Sequence, residues 1–411
     1  MRERPKPNAV ERPLLFATVN HRLHKGRRFG IRPPDLLRHV WVIGKTGMGK
    51  STLLETLFVA QMDAGHGVGL IDPHGDLAER VIGQVPRHRR NDLLIIDPAA
   101  PGRKASLNLV GYKDPVDRPL AGAAAISVLK KTFDASWGPR TEHVVRNSIL
   151  ALLDTPRSTL RGVLHLASDE RFRAMALRHV RDPLVRAFWE EEFAALPPSF
   201  RAEVIAPVQN KVGALLSNPI IRAHVDQPRA MLSFRDLMDR ERLVVVNLSK
   251  GRIGEDASGF LGSLILGAFQ VAAYSRASLA VGHRAPFTLY VDEFPRFVTP
   301  SFAELLAESR KFGVGLVLAN QNLAQLDPVL RGALLGNAGT LIAFRLSADD
   351  ALELEPEFAP ELRAHDLARL GRHEIVLKLA IDGVTSVPFT AVSSPVPGAR
   401  QRDIVGRTMR C

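Results

Sequence analysis

The residues Gly44-Lys-Thr-Gly-Met-Gly-Lys-Ser51 fit the pattern G-x-x-x-x-G-K-[ST]. An apolar run, His39-Val-Trp-Val-Ile43, precedes them, and a helical stretch, Ser51 to Ala60, follows. Strand, glycine-rich loop and helix make a phosphate cradle. Glycines let successive N–H groups converge on phosphate oxygens, and the helix start adds partial positive charge. The expected phosphate-binding residues are Gly44, Lys45, Thr46, Gly47, Met48, Gly49, Lys50, Ser51 and Thr52. Lys50 would reach the β- and γ-phosphates of ATP, and Ser51 would ligate Mg²⁺. A second apolar run, Phe287-Thr-Leu-Tyr-Val291, ends in Asp292-Glu293. Carboxylates at the carboxyl edge of a parallel sheet sit where such sheets bind ligands. Asp292 would hold Mg²⁺, and Glu293 would polarise the attacking water. A nucleotide switch needs only the Asp, so the adjacent Glu favours ATP hydrolysis.

Three weaker signals accompany these two. Asp72-Pro-His-Gly-Asp76 follows another strand; Asp72 or His74 could touch the nucleotide or the water shell of its metal, although both fit ordinary turn chemistry, the reading favoured for His74. Gln321, in Asn320-Gln-Asn322, could sense the γ-phosphate from a strand end beside the acidic pair. Arg310 lies near the end of a helix and could act as an arginine finger on a neighbouring subunit, with Arg345 the competing candidate. The bland reading of Arg310 is a cation placed near a helix C-terminus.

Other chemistries lack support. The 13 histidines show no H-E-x-x-H spacing, and no G-x-S-x-G appears. The single cysteine, Cys411, excludes an internal disulfide framework and a cysteine-based zinc site. With 6% aromatic residues, stacking platforms for single strands are poorly supplied.

The elements that must position these residues alternate strand and helix. Strands are expected at 39–43, 67–71, 92–97, 242–248, 286–291, 313–320, 340–346 and 374–380. Helices fall at 77–85, 258–276 and 302–312, with a Gly-bearing loop over 249–258. Helical periodicity alone runs from about 113 to 239, broken by prolines. The expected architecture is therefore α/β, with a mainly parallel central sheet and an all-α insertion.

At 411 residues with 45% hydrophobic and 24% charged, the composition is globular. The net charge of +12 is unevenly placed: residues 1–40 carry +7 and residues 399–411 carry +3. Two basic arms flanking a near-neutral body could engage polyanions, or could simply be solvated tails.

The ordered set of motifs resembles the motor domain of conjugative coupling proteins of type IV secretion, the TraD/TraG class of the HerA/FtsK superfamily. It comprises His39 to Leu53, Ile71-Asp-Pro-His-Gly-Asp76, Ser136-Trp-Gly-Pro-Arg-Thr-Glu-His143, Val246-Asn-Leu-Ser-Lys-Gly251, Val291-Asp-Glu-Phe294 and Ala319-Asn-Gln-Asn-Leu-Ala-Gln325. The resemblance implies a RecA-like P-loop NTPase that assembles as a homo-hexamer, hydrolyses ATP with Mg²⁺ between subunits and drives DNA through a central channel. Charge and periodicity divide the chain into a basic arm at 1–38, the ATPase domain at 39–112 and 240–392, an all-α insertion at 113–239, which the resemblance also implies, and a basic tail at 393–411. Lys50, Ser51, Asp292 and Glu293 take the nucleotide, metal and water roles, Gln321 the sensor role and Arg310 the finger. Lys250 and Arg252 are candidates for the channel lining. Partners would include a relaxase or channel components. Coupling proteins typically carry transmembrane helices, and no such stretch is read here. The expected location is therefore cytoplasmic, peripheral at the inner membrane through partners. A HerA-like pump working with a nuclease, a secretion ATPase acting on protein, and a nucleotide-gated scaffold stay open as alternatives.

Overall fold

Period-two alternation divides each central strand between two cores. In the phosphate-loop strand, Val40 and Val42 join the core beneath the following helix, while Trp41 and Ile43 face the opposite core. The same division holds for Leu70 against Ile71, Tyr290 against Val291, and Val317 against Leu318. Strands buried on both faces read as unbroken apolar runs, which is why the sequence displays them so plainly.

The computed structural model describes residues 12–20, 24–102, 105–133, 137–228 and 232–394. Its strands are β1 (Leu14–Val19), β2 (Arg28–Ile31), β3 (Val40–Ile43), β4 (Gly67–Asp72), β5 (Leu93–Ile96), β6 (Leu243–Asn247) and β7 (Phe287–Val291). They continue with β8 (Val314–Asn320), β9 (Thr340–Ala343), β10 (Glu374–Lys378), β11 (Ala380–Ile381), β12 (Val384–Thr385) and β13 (Phe389–Ser393). One sheet holds all but the β11–β12 hairpin, in the order β2-β1-β13-β10-β9-β3-β8-β7-β4-β6-β5. From β9 to β5 every pairing is parallel; from β2 to β9 every pairing is antiparallel. This is the RecA-like P-loop arrangement, a mostly parallel α/β sheet extended by an antiparallel flank.

That flank corrects the domain limits expected from charge. Part of the stretch taken as a basic arm is β1 and β2, with Phe16 and Ile31 each 1% exposed in the core. Ser393, assigned to the tail, pairs with Ala17. The apolar run Leu14-Leu-Phe-Ala-Thr-Val19 is an ordinary strand pattern that the charge sum over 1–40 concealed. Residues 1–11, 395–411 and Ser136 lie outside the described residues.

Described residues between 113 and 239 are helical or in turns. The longer helices are Arg118–Thr132, Pro139–Asp154 and Pro198–Ser217. Asp169, Asp182, Asn218 and Ser233 each cap a helix by accepting a backbone N–H. These helices do not enclose a separate core. Their apolar residues join one continuous cluster with the sheet, through Arg118–Thr132 packed on the helix Glu255–Ser275. The latter helix, extended to Ser278, is long and apolar enough to cross a membrane by length and composition, but 78% of its apolar window is buried against the sheet and insertion.

Other boundaries also shift. The loop expected over 249–258 is a short helical turn, Lys250–Ile253, followed at once by the long helix from Glu255. The helix expected over 302–312 is α-helical only through Glu308 and tightens into a 3-10 turn that carries Arg310. The strand expected over 340–346 stops at Ala343, because Phe344 to Leu346 turn away to contact the phosphate loop and the segment at Leu367.

Trp41 is fully buried and donates from its indole nitrogen to Asn320 Oδ1 at 2.8 Å, tying β3 to β8. Trp41→Phe leaves that oxygen without its donor. It should lower stability by about 1–3 kcal/mol in denaturant unfolding.

Candidate functional site

Register places the chemistry. Ile43 aligns with Asn320, Leu318 with Val291, and Val291 with Ile71, so β3, β8, β7 and β4 end at one edge. The phosphate loop, Gln321, Asp292 and the Asp72 turn therefore emerge side by side. This is the carboxyl edge at which parallel sheets bind ligands.

The loop itself is shaped by backbone. Gly49 adopts φ +119°, and a Cβ there would lie 2.6 Å from His373 Nδ1; only glycine fits. His373 braces the loop from behind, its N–H donating to Met48 O at 2.9 Å, and Lys45 N–H is held by Arg345 O at 2.9 Å. Lys50 begins the helix Lys50–Asp63, with its ammonium donating to Gly44 O at 2.5 Å and Lys45 O at 3.1 Å. The lysine thus caps carbonyls of its own loop, and burial holds its pKa below the ordinary value.

Ser51 Oγ donates to Asp292 Oδ2 at 3.1 Å, while the Glu293 N–H donates to Asp292 Oδ1 at 3.0 Å. Asp292 is 4% exposed. Burial first, then the negative charges of Asp72 and Glu293, push its pKa up to about 6. Asp72 is fully buried and takes no free position in the site. Its two oxygens accept the His74 and Ala78 N–H groups at 2.8 and 2.9 Å, so it caps the turn.

Glu293 sits in the left-handed region at φ +46°, ψ +44°, a conformation costing a non-glycine residue about 1–3 kcal/mol and found where function over-determines the backbone. Its Oε1 accepts a hydrogen bond from Gln321 Nε2, whose own Oε1 accepts from Thr46 Oγ1 at 3.0 Å. A chain of contacts therefore runs from the phosphate loop through Gln321 to Glu293. His74 Nε2 also lies 3.4 Å from Glu293 Oε1. That contact is the first cause holding the Glu293 pKa down at about 2, and in return the His74 pKa is raised. The turn reading of His74 is incomplete: its backbone makes the turn, while its side chain joins the site. The signal was its place at the carboxyl edge of β4.

The two arginines separate. Arg345 stays beside its own phosphate loop, with Nε donating to Leu370 O at 2.5 Å. Arg310 is exposed at the opposite edge of the sheet, lining a cleft with His39 at the amino end of β3. It is not part of the site formed within its own chain. Lys250 is half-buried beside the Asp72 turn, and Arg252 is exposed, pairing with Asp97 at 2.8 Å.

The set suits a nucleotide triphosphate with Mg²⁺. No group of three or more acidic, histidine or cysteine ligands occurs among the described residues. One hydroxyl and one carboxylate are nonetheless what a magnesium ion bound chiefly through water and phosphates requires. Asp292 is a buried carboxylate whose ionised form a cation would stabilise.

Two family matches follow the same order along the chain. Residues 25–118 match the family described as "Helicase HerA, central domain", and residues 286–354 that described as "TraM recognition site of TraD and TraG". Over 286–354, then, the chain is similar to the TraD and TraG proteins. No curated protein sequence matches it. Among solved structures, the plasmid coupling protein TrwB with ADP and Mg²⁺ is 19% identical with a TM-score of 0.65, covering 90% of this chain and 88% of that one. TrwB with a non-hydrolysable GTP analogue gives 18% and 0.64, over 90% and 88%. VirB4 of Thermoanaerobacter pseudethanolicus is 14% identical with a TM-score of 0.60, over 96% and 99%. The chain shares its fold with both proteins.

Asp292→Asn separates function from stability. Because the folded pKa of Asp292 exceeds the unfolded value near 3.8, its ionised form opposes folding above that pH, increasingly up to about pH 6. Asn should therefore stabilise the nucleotide-free protein at pH 7–8 by about 1–3 kcal/mol, with the gain shrinking toward pH 4, while turnover is lost. Thermal unfolding across pH, beside an ATPase assay, checks both halves.

Proposed function

We propose that this chain is a Mg²⁺-dependent ATPase of coupling-protein type, acting in a homo-hexameric ring to drive DNA through a central channel. The observation that carries the reading is the joined contact set Ser51–Asp292 and Thr46–Gln321–Glu293. It links the phosphate loop to both carboxylates and sets the Gln321 amide between Thr46 and Glu293.

In the proposed reaction, the loop N–H groups and Lys50 bind the phosphates of ATP, the ammonium exchanging its carbonyl contacts for the β- and γ-phosphate oxygens. Ser51 and Asp292 hold Mg²⁺, which when bound neutralises charge on the β- and γ-phosphates. Glu293 accepts a hydrogen bond from the attacking water and polarises it. Gln321 registers whether the γ-phosphate is present, since one end touches the loop and the other touches Glu293.

Arg310 is proposed as the finger in trans. Its exposure, on the edge away from its own loop, favours delivery to a neighbour over action within the chain. The nucleotides named for the TrwB structures support ATP and Mg²⁺, and the match over 286–354 supports docking on a DNA-processing partner such as a relaxase complex. A cytoplasmic location, peripheral at the inner membrane through such partners, accompanies this reading. The alternative reading is a secretion ATPase acting on protein.

Steady-state ATPase with no DNA, single-stranded DNA and duplex DNA decides between the two. Strong DNA stimulation is expected; robust hydrolysis indifferent to DNA would move the substrate to protein. Glu293→Gln should retain nucleotide binding and lose turnover by roughly a hundredfold or more. Lys50→Ala and Arg310→Ala should each be inactive alone. Mixed rings of the two should recover some activity, and failure of mixed rings shown to form would count against a finger in trans.

A further inference from the structure

Glu293 is held at one oxygen by two side chains from the two strands flanking β7. Gln321 comes from β8 and His74 from β4. The two holders report to different places. Gln321 is tied to Thr46 of the phosphate loop, so it answers to the nucleotide.

His74 is not tied to the phosphate loop. Its peptide N–H is fixed by Asp72, and its side chain is 39% exposed. The residue before it, Pro73, accepts a hydrogen bond from the Lys250 N–H at 3.0 Å, and Asp72 O accepts the Leu248 N–H at 2.9 Å. Gly75, the residue after it, lies so close to the same segment that a Cβ there would stand 2.8 Å from Asn247 Oδ1 and 3.0 Å from Ser249 Cβ. The His74 turn is thus bonded to the Lys250–Ile253 turn and cannot move independently of it.

That turn carries the exposed cation Arg252, held by Asp97 on the far side. A phosphate backbone competing for Arg252, the exposed member of this pair, would draw it from Asp97 and pull on the turn, because guanidinium pairs with phosphate oxygens through charge-assisted hydrogen bonds.

We propose that His74 is a positioning residue that restrains Glu293 in the resting protein, and that polyanion contact at the Lys250–Ile253 turn releases it. A carboxylate oxygen occupied by two donors is a poor acceptor for the attacking water. Withdrawing the imidazole frees a lone pair on that oxygen and lets the carboxylate turn toward the water. The restraint rests on the ATPase reading above, and its release rests on the DNA reading.

The test is the ATPase rate of the full chain as wild type, His74→Ala, His74→Met and His74→Gln, titrated with MgATP, first without DNA and then with single-stranded and duplex DNA. Without DNA, His74→Ala and His74→Met should raise kcat roughly two- to fivefold, the worth of one partly exposed ion pair, with KM unchanged. Stimulation by DNA should shrink by the same factor. His74→Gln keeps an N–H donor at similar reach and should behave as wild type. A kcat at or below wild type in the donor-less variants overturns the restraint, as does a His74→Gln variant as fast as His74→Ala. The Met variant serves if the Ala variant does not fold. If DNA fails to stimulate wild type while His74→Ala is still faster, the restraint stands and only the DNA reading falls.

Discussion

A carboxylate kept out of water sets the terms for everything around it. Asp292 is buried beside two further acids, and within its own chain it is met by a hydroxyl, a peptide N–H and a lysine engaged elsewhere. Such a group opposes folding unless it is protonated or met by a cation. The nucleotide-free fold therefore stores an electrostatic demand that Mg²⁺ with phosphates would satisfy. Left-handed Glu293 adds backbone strain at the same edge. Stability is given up at the site and recovered from two apolar layers on either face of the sheet.

One of those layers ties the insertion to the candidate site. The insertion shares a single core with the sheet, through the contact of Arg118–Thr132 on Glu255–Ser275. The long helix begins directly after the Lys250–Ile253 turn, which is bonded to the His74 loop. The edge that carries the candidate site, the basic turn and the insertion are therefore linked through continuous packing and hydrogen bonds. Close-packed elements of this kind shift as units between discrete arrangements and do not deform smoothly.

Much of the site was legible in order. The phosphate loop and the Asp292-Glu293 pair each ended an apolar run, and strands buried on both faces advertise themselves. Charge misled where it was summed without regard to pattern: β1 was hidden inside a basic stretch, although Leu14 to Val19 is a plain strand. His74 was read by its local turn chemistry because the turn is real, and nothing local reveals that its ring crosses to β7.

The sequence alone determined which chemistry this chain can attempt, since the phosphate loop, the acidic pair and the strand–helix alternation are local patterns set by residue type and spacing. Tertiary structure decided what surrounds that chemistry. Strand order set β4 and β8 on either side of β7, so that His74 and Gln321 converge on one oxygen of Glu293, and the parallel direction of β3 left Arg310 at the edge away from its own loop. These relations join residues from 28 to more than 200 positions apart, and they arise from sheet pairing and burial, which no single stretch of the chain encodes.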